Sequence, residues 1–134
     1  MENYANIVHI EAITALDIAR KEITPAIMGY QSFIIGEMNE KKALGDYNAD
    51  LEKGILDKIS ALSGKFAAAI DKLAADIDGY DLSESNYRKA LYCKDKLLAD
   101  METVRKYADR AELILSKKLS PFPTYEDILY SIKY

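Results

Sequence analysis

Residues 51–77 read LEKGILDKISALSGKFAAAIDKLAADI, and the spacing of this stretch decides the fold. Leu51, Ile55, Ile59, Leu62, Phe66, Ile70, Leu73 and Ile77 recur every three or four positions. Asp57, Lys58, Ser60, Lys65, Asp71 and Lys72 fall between them, followed by Asp78. This is the signature of an α-helix with one apolar stripe and one wet face. At 1.5 Å per residue the helix would be about 40 Å long. A stripe of that length must be laid against other helices.

Working outward, residues 7–44 carry a second stripe through Ala12, Leu16, Ala19, Ile23, Ile27, Tyr30, Ile34 and Met38, widened by Ile10, Ile13 and Ala26. Pro25 lies inside it. A proline there has no N–H for the carbonyl of Lys21, and its ring crowds that carbonyl. A kink near Lys21–Thr24 is therefore expected. Because Ile23 and Ile27 stay in phase, one kinked helix is preferred over two. Gly45, Asp46 and Asn48 punctuate the chain before the helix of residues 50–78, where Asn48 or Asp50 would cap. Gly79 is placed as a left-handed residue closing that helix.

A third helix, residues 84–118, is expected after the polar run Ser83–Asn86. Its stripe comprises Tyr87, Leu91, Leu98, Met101, Val104, Ala108, Ala111 and Leu115, with Lys94 in phase. That lysine either interrupts the stripe or passes its ammonium outward to water. Pro121 and Pro123 stop the helix. Residues 121–134 should form a short tail helix, capped by Thr124 and too apolar to trail in solvent. The expected fold is all-α: a long antiparallel up-down-up three-helix bundle with a docked tail, in a single domain of 134 residues.

Composition narrows function more than it names it. With 49% apolar and 30% charged residues the chain is of the folded globular type. A net charge of -4, mixed along the chain, offers no basic stripe for a nucleic-acid backbone. No apolar run is long enough for a membrane span, no signal peptide is apparent, and the cytoplasm is the default compartment. Cys93, the single cysteine, excludes a disulfide scaffold and reads as an inert, partly buried thiol.

Catalytic and metal-binding patterns are missing from the sequence. His9 is the only histidine and reads as a surface or helix-start residue. Glu11, Glu22, Glu37 and Glu52 lie mostly off the stripes, and no Glu-x-x-His motif accompanies them. Asp17 with Lys21 and Glu37 with Lys41 have the four-residue spacing of helix-surface ion pairs. No glycine-rich phosphate loop occurs. The sequence therefore offers no catalytic, cofactor-binding or metal residue. The ten tyrosines, many at helix ends or in the tail, suit partly buried contacts.

Two segments carry a resemblance. ENYANIVHIEAITALDIARKEITPAI (residues 2–27) resembles the start of the helical C-terminal region of type III glutamine synthetases, which reads much like ENY…N-I-E-A…D-x-A-x-K-E-I-x-P-A. SPFPTYEDILYSIKY (residues 120–134) resembles the close of the same proteins, with KKALG (residues 41–45) at the first turn between them. The resemblance implies a parent enzyme that joins ammonia to glutamate with ATP and divalent metal ions, in large ring-shaped oligomers. Its ligand-binding residues would belong to a catalytic domain outside these residues, so none maps here. Pro25, Pro121, Phe122, Pro123, Thr124 and Tyr125 map only as architecture. The implied role is a noncatalytic assembly module, inactive alone, whose partners are the catalytic domain and neighbouring subunits, with self-association when isolated. The alternative is a free-standing helical interaction or regulatory module.

Overall fold

The computed structural model describes residues 2–115, and every described element is helical. Three rods result. The first comprises α1 (Glu2–Ile18), a π turn (Ala19–Ile23) and α2 (Thr24–Leu44); the second is α3 (Asp50–Asp78). The third comprises α4 (Asn86–Tyr92), a second π turn (Cys93–Leu97) and α5 (Leu98–Ile114). The sequence-expected tail, residues 121–134, lies outside the described residues.

Pro25 has its effect one turn earlier than its own position. The backbone N–H of Thr24 bonds to the carbonyl of Ala19, five residues back, and its hydroxyl donates to the same oxygen at 2.8 Å. Widening the turn relaxes the strict four-residue ladder that proline disrupts, and the rod remains helical through it. The extra residue in this turn also rotates α1 relative to α2. Ala5, Val8, Ala12 and Ala19 are buried together with Ile27, Tyr30 and Ile34. Ile10 and Ile13, expected to widen the buried stripe, point away and are 63% and 46% exposed. An uninterrupted α-helix would have brought Ile13 into phase with Ile27; the π turn takes it out.

At the next connection Gly45 adopts φ 154°, a conformation L side chains rarely take, and ends α2. Asn48 Oδ1 accepts the N–H of Asp50 at 2.8 Å, while Lys41 donates to the Asn48 carbonyl at 2.8 Å and pairs with Glu52. The residue at the cap position of α3 is Ala49, without a side-chain cap. α3 then buries Ile59, Leu62, Phe66, Ile70 and Leu73. Leu51 lies beyond the cover of the other rods and is 81% exposed. Gly79 closes the helix at φ -80°, in the right-handed region, with its N–H on the Ala75 carbonyl at 3.0 Å. The left-handed closure expected from its sequence position is not used.

α4 is capped by Ser85, whose hydroxyl accepts from the N–H of Arg88 at 3.2 Å; Ser83 instead donates to Asp81. The second π turn rotates α4 against α5 as the first rotates α1 against α2. Lys89, Ala90, Cys93, Leu97, Asp100, Val104, Ala108 and Ala111 become the inner row. Tyr87, Leu91 and Lys94, placed on the stripe by sequence, are exposed. The core is one continuous cluster along all three rods, with α3 packed on both α2 and α5.

Candidate functional site

The densest polar chemistry sits where the end of α3 meets the start of the third rod. Lys72, two turns before the end of α3, donates to Asp76 at 2.8 Å and to Asp100 of α5 at 3.0 Å. Asp100 is only 5% exposed. Its burial, and then the neighbouring Asp76 carboxyl, raise its pKa above the usual carboxylate range. Asp76 moves the other way, held low first by the bond to Asp100 and then by Lys72. Of the two carboxyls on Lys72, Asp100 is therefore the one that holds its proton to higher pH and Asp76 the one that ionises first. Lys72 is correspondingly held above the usual ammonium range by both partners.

Aromatic groups continue this bracket toward α1. The Tyr92 hydroxyl donates to the backbone carbonyl of Asp76 at 2.6 Å, and burial raises the phenol above its ordinary value. Tyr80 stacks on His9 with ring centroids 4.2 Å apart and lies 6.1 Å from the Tyr92 ring. Cys93 is fully buried, and its thiol donates to the Ala5 carbonyl at 3.6 Å. Burial pushes that thiol up, away from the reactive thiolate. His9, expected at the surface or at a helix start, is a half-buried contact between α1 and the segment after α3.

This bracket fastens three rods, and beside it Tyr80 and Tyr92 line a cavity of about 370 Å³ together with Asp81, Glu84, Arg88 and Lys89. Among the described residues no group of three or more His, Cys, Asp or Glu side chains is placed to hold a metal ion. Asp17 and Lys21 pair at 2.9 Å on the surface. Lys41, four residues from Glu37, reaches instead to Glu52 across the turn. The sequence signal for the bracket was weak: Asp100 is one acid among the apolar Leu97, Leu98, Ala99 and Met101, and its partner Lys72 lies 28 residues away.

The described surface also carries apolar side chains. On α1, Ile7, Ile10 and Ile13 are all about half exposed or more, on the side away from the core. At the other end of the first rod, Leu44, Tyr47 and Leu51 crowd the exposed turn into α3. Monomers rarely leave such groups of large apolar side chains clustered without a contact to make.

The chain is similar to known proteins in its first rod and beyond it. Residues 1–42 match the family model described as glutamine synthetase C-terminal domain. Over 135 residues the chain is 34% identical to a glutamine synthetase of Butyrivibrio fibrisolvens, an alignment covering 99% of this chain and 19% of that protein. The chain therefore spans about a fifth of the length of the curated relative it matches. No solved structure matches. No described helix is long and apolar enough to cross a membrane.

Proposed function

We propose that this chain is a noncatalytic structural and assembly module of a type III glutamine synthetase in the cytoplasm, and that it acts by packing. The observation that carries this reading is the second apolar face of α1, formed by Ile7, Ile10 and Ile13. This face lies on the segment that is similar to the glutamine synthetase C-terminal domain. One side of α1 seals the bundle, and the other is offered to a larger body. ATP, divalent ions, glutamate and ammonia belong to that body in this reading, and the bundle braces it or joins neighbouring subunits.

Within the module the rods run up-down-up, a topology supported by three links. Lys41 to Glu52 ties the end of α2 to the start of α3. Lys72 to Asp100 ties the last part of α3 to the third rod. Cys93 to Ala5 brings the starts of the third and first rods together. The exposed turn bearing Leu44, Tyr47 and Leu51 stands at the far end, suited to contact with a neighbouring subunit.

The test uses the Butyrivibrio fibrisolvens glutamine synthetase with its matching segment deleted. Added back or fused in place, this chain should restore the oligomer and the ATP-dependent formation of glutamine. The Ile7→Lys, Ile10→Lys variant should fold equally well by circular dichroism and fail to restore either. Equal rescue by both chains, or rescue by neither, would overturn the proposal. Glutamine formation by the isolated chain would overturn its noncatalytic part.

A further inference from the structure

The cavity of about 370 Å³ lies at the turn that joins α3 to α4. Its inner wall is made of buried groups: Tyr80 and Lys89 are each only 8% exposed, and Tyr92 is half-buried. Asp81, Glu84 and Arg88 are exposed and form the mouth.

Lys89 is out of keeping with its surroundings. A lysine is almost never buried to this degree without a partner, because an ammonium withdrawn from water needs an opposite charge or acceptors around it. Among the described residues the Lys89 side chain has neither a hydrogen bond nor an ion pair. The two acids at the mouth are already engaged. Asp81 accepts the N–H of Ser83 at 2.9 Å and its hydroxyl at 2.6 Å, and Glu84 faces Arg88 at 3.9 Å. The inner end of the cavity therefore carries one uncompensated positive charge.

Size and charge together set the class of occupant. The volume falls in the small part of the range that organic ligands take, and exceeds what a bare ion needs. The lining carries no net charge, with Arg88 and Lys89 against Asp81 and Glu84. A single negative charge is matched at Lys89, whereas a dianion such as phosphate would also face both acids at the mouth. We propose that the cavity binds a small organic monocarboxylate, its carboxylate accepting from the Lys89 ammonium and its apolar part lying against the rings of Tyr80 and Tyr92. A charge-assisted hydrogen bond in so dry a setting is stronger than its counterpart in water. The site goes beyond the packing role, and it uses none of the apolar side chains of α1 or of the α2–α3 turn.

Titration of the full chain with benzoate, followed through its amide NMR signals, tests the assignment. The signals of Tyr80, Asp81, Glu84, Arg88 and Lys89 should shift together and saturate. Ring protons of benzoate should show nuclear Overhauser effects to Tyr80 or Tyr92. Benzamide, the neutral molecule of the same shape, and inorganic phosphate should both bind about tenfold more weakly or worse. Lys89→Met keeps the buried stem and removes the charge, so it should fold at least as stably and weaken benzoate about tenfold or more. Lys94→Met, at an exposed lysine on the same rod, should leave the affinity unchanged. Absence of saturable shifts at the cavity, equal binding of benzamide, or full affinity in Lys89→Met would each overturn the proposal. Phosphate binding as tightly as benzoate would also do so, by making this a site for any anion. The benzoate, benzamide and phosphate titrations of the unaltered chain decide the matter even if Lys89→Met fails to fold. None of these readouts involves an oligomer, so the result stands apart from the test of assembly.

Discussion

The hydroxyl oxygen of Tyr92 stands 2.7 Å from the point where a β-carbon on Gly79 would lie, and it donates at 2.6 Å to the carbonyl of Asp76. The glycine is retained by this neighbour, since its own backbone, at φ -80°, would suit any residue. A side chain at position 79 must displace the ring or break its hydrogen bond.

Gly79→Ala should therefore destabilise the chain by about 1–2 kcal/mol, the cost of overpacking. Tyr92→Phe alone should cost about 1 kcal/mol for the lost hydrogen bond. In the Tyr92→Phe background the alanine should become neutral or stabilising by up to about 1 kcal/mol, because it restricts the unfolded chain. Denaturant melts of the four proteins in this cycle check the coupling. Strict additivity would show that the close approach has no energetic weight.

The paired carboxyls make stability depend on pH in two opposite directions. Unfolded, both would titrate near 3.8. Below that value the unfolded chain binds the additional proton at Asp76, so stability rises with pH. Above it the folded chain keeps the proton on Asp100, so stability falls until that carboxyl ionises. Asp100→Asn keeps a donor toward Asp76 and removes the falling limb, and should add about 1 kcal/mol at neutral pH by sparing a buried charge. Urea melts from acid to neutral pH follow both limbs.

Core position, more than apolar character, should govern the cost of truncation along α3. Leu73 is fully buried and Leu51 is 81% exposed. Leu73→Ala should cost about 2–5 kcal/mol, while Leu51→Ala should stay within about 0.5 kcal/mol. Thermal unfolding of the two variants gives the comparison directly.

Cys93 should be inert in the native state. Its thiol is fully buried, raised in pKa and engaged with Ala5. Modification by an aromatic disulfide reagent should proceed at the rate of opening of the α1–α4 contact, slow under native conditions and rapid in denaturant. Prompt native labelling would contradict this packing.

The all-helical character was legible in the sequence because the three-to-four-residue spacing of Ile59, Leu62, Phe66, Ile70 and Leu73 is a local property, set by helix geometry alone. Pro25 likewise announced an irregularity in the first rod. The faces of α1 and α4 were not legible. Each depends on a π turn, and one extra residue in a turn rotates everything before it, turning Ile10, Ile13, Tyr87 and Leu91 outward.

By itself, then, the chain's order of residues determined three amphipathic rods and the punctuation between them, since propensity and periodicity act over neighbouring residues. Only the tertiary structure decided which side of each rod is buried, and that Asp100 is tolerated inside because Lys72 and Asp76 reach it from another helix. The burial of a charge is settled by partners distant in sequence, and no local pattern encodes them.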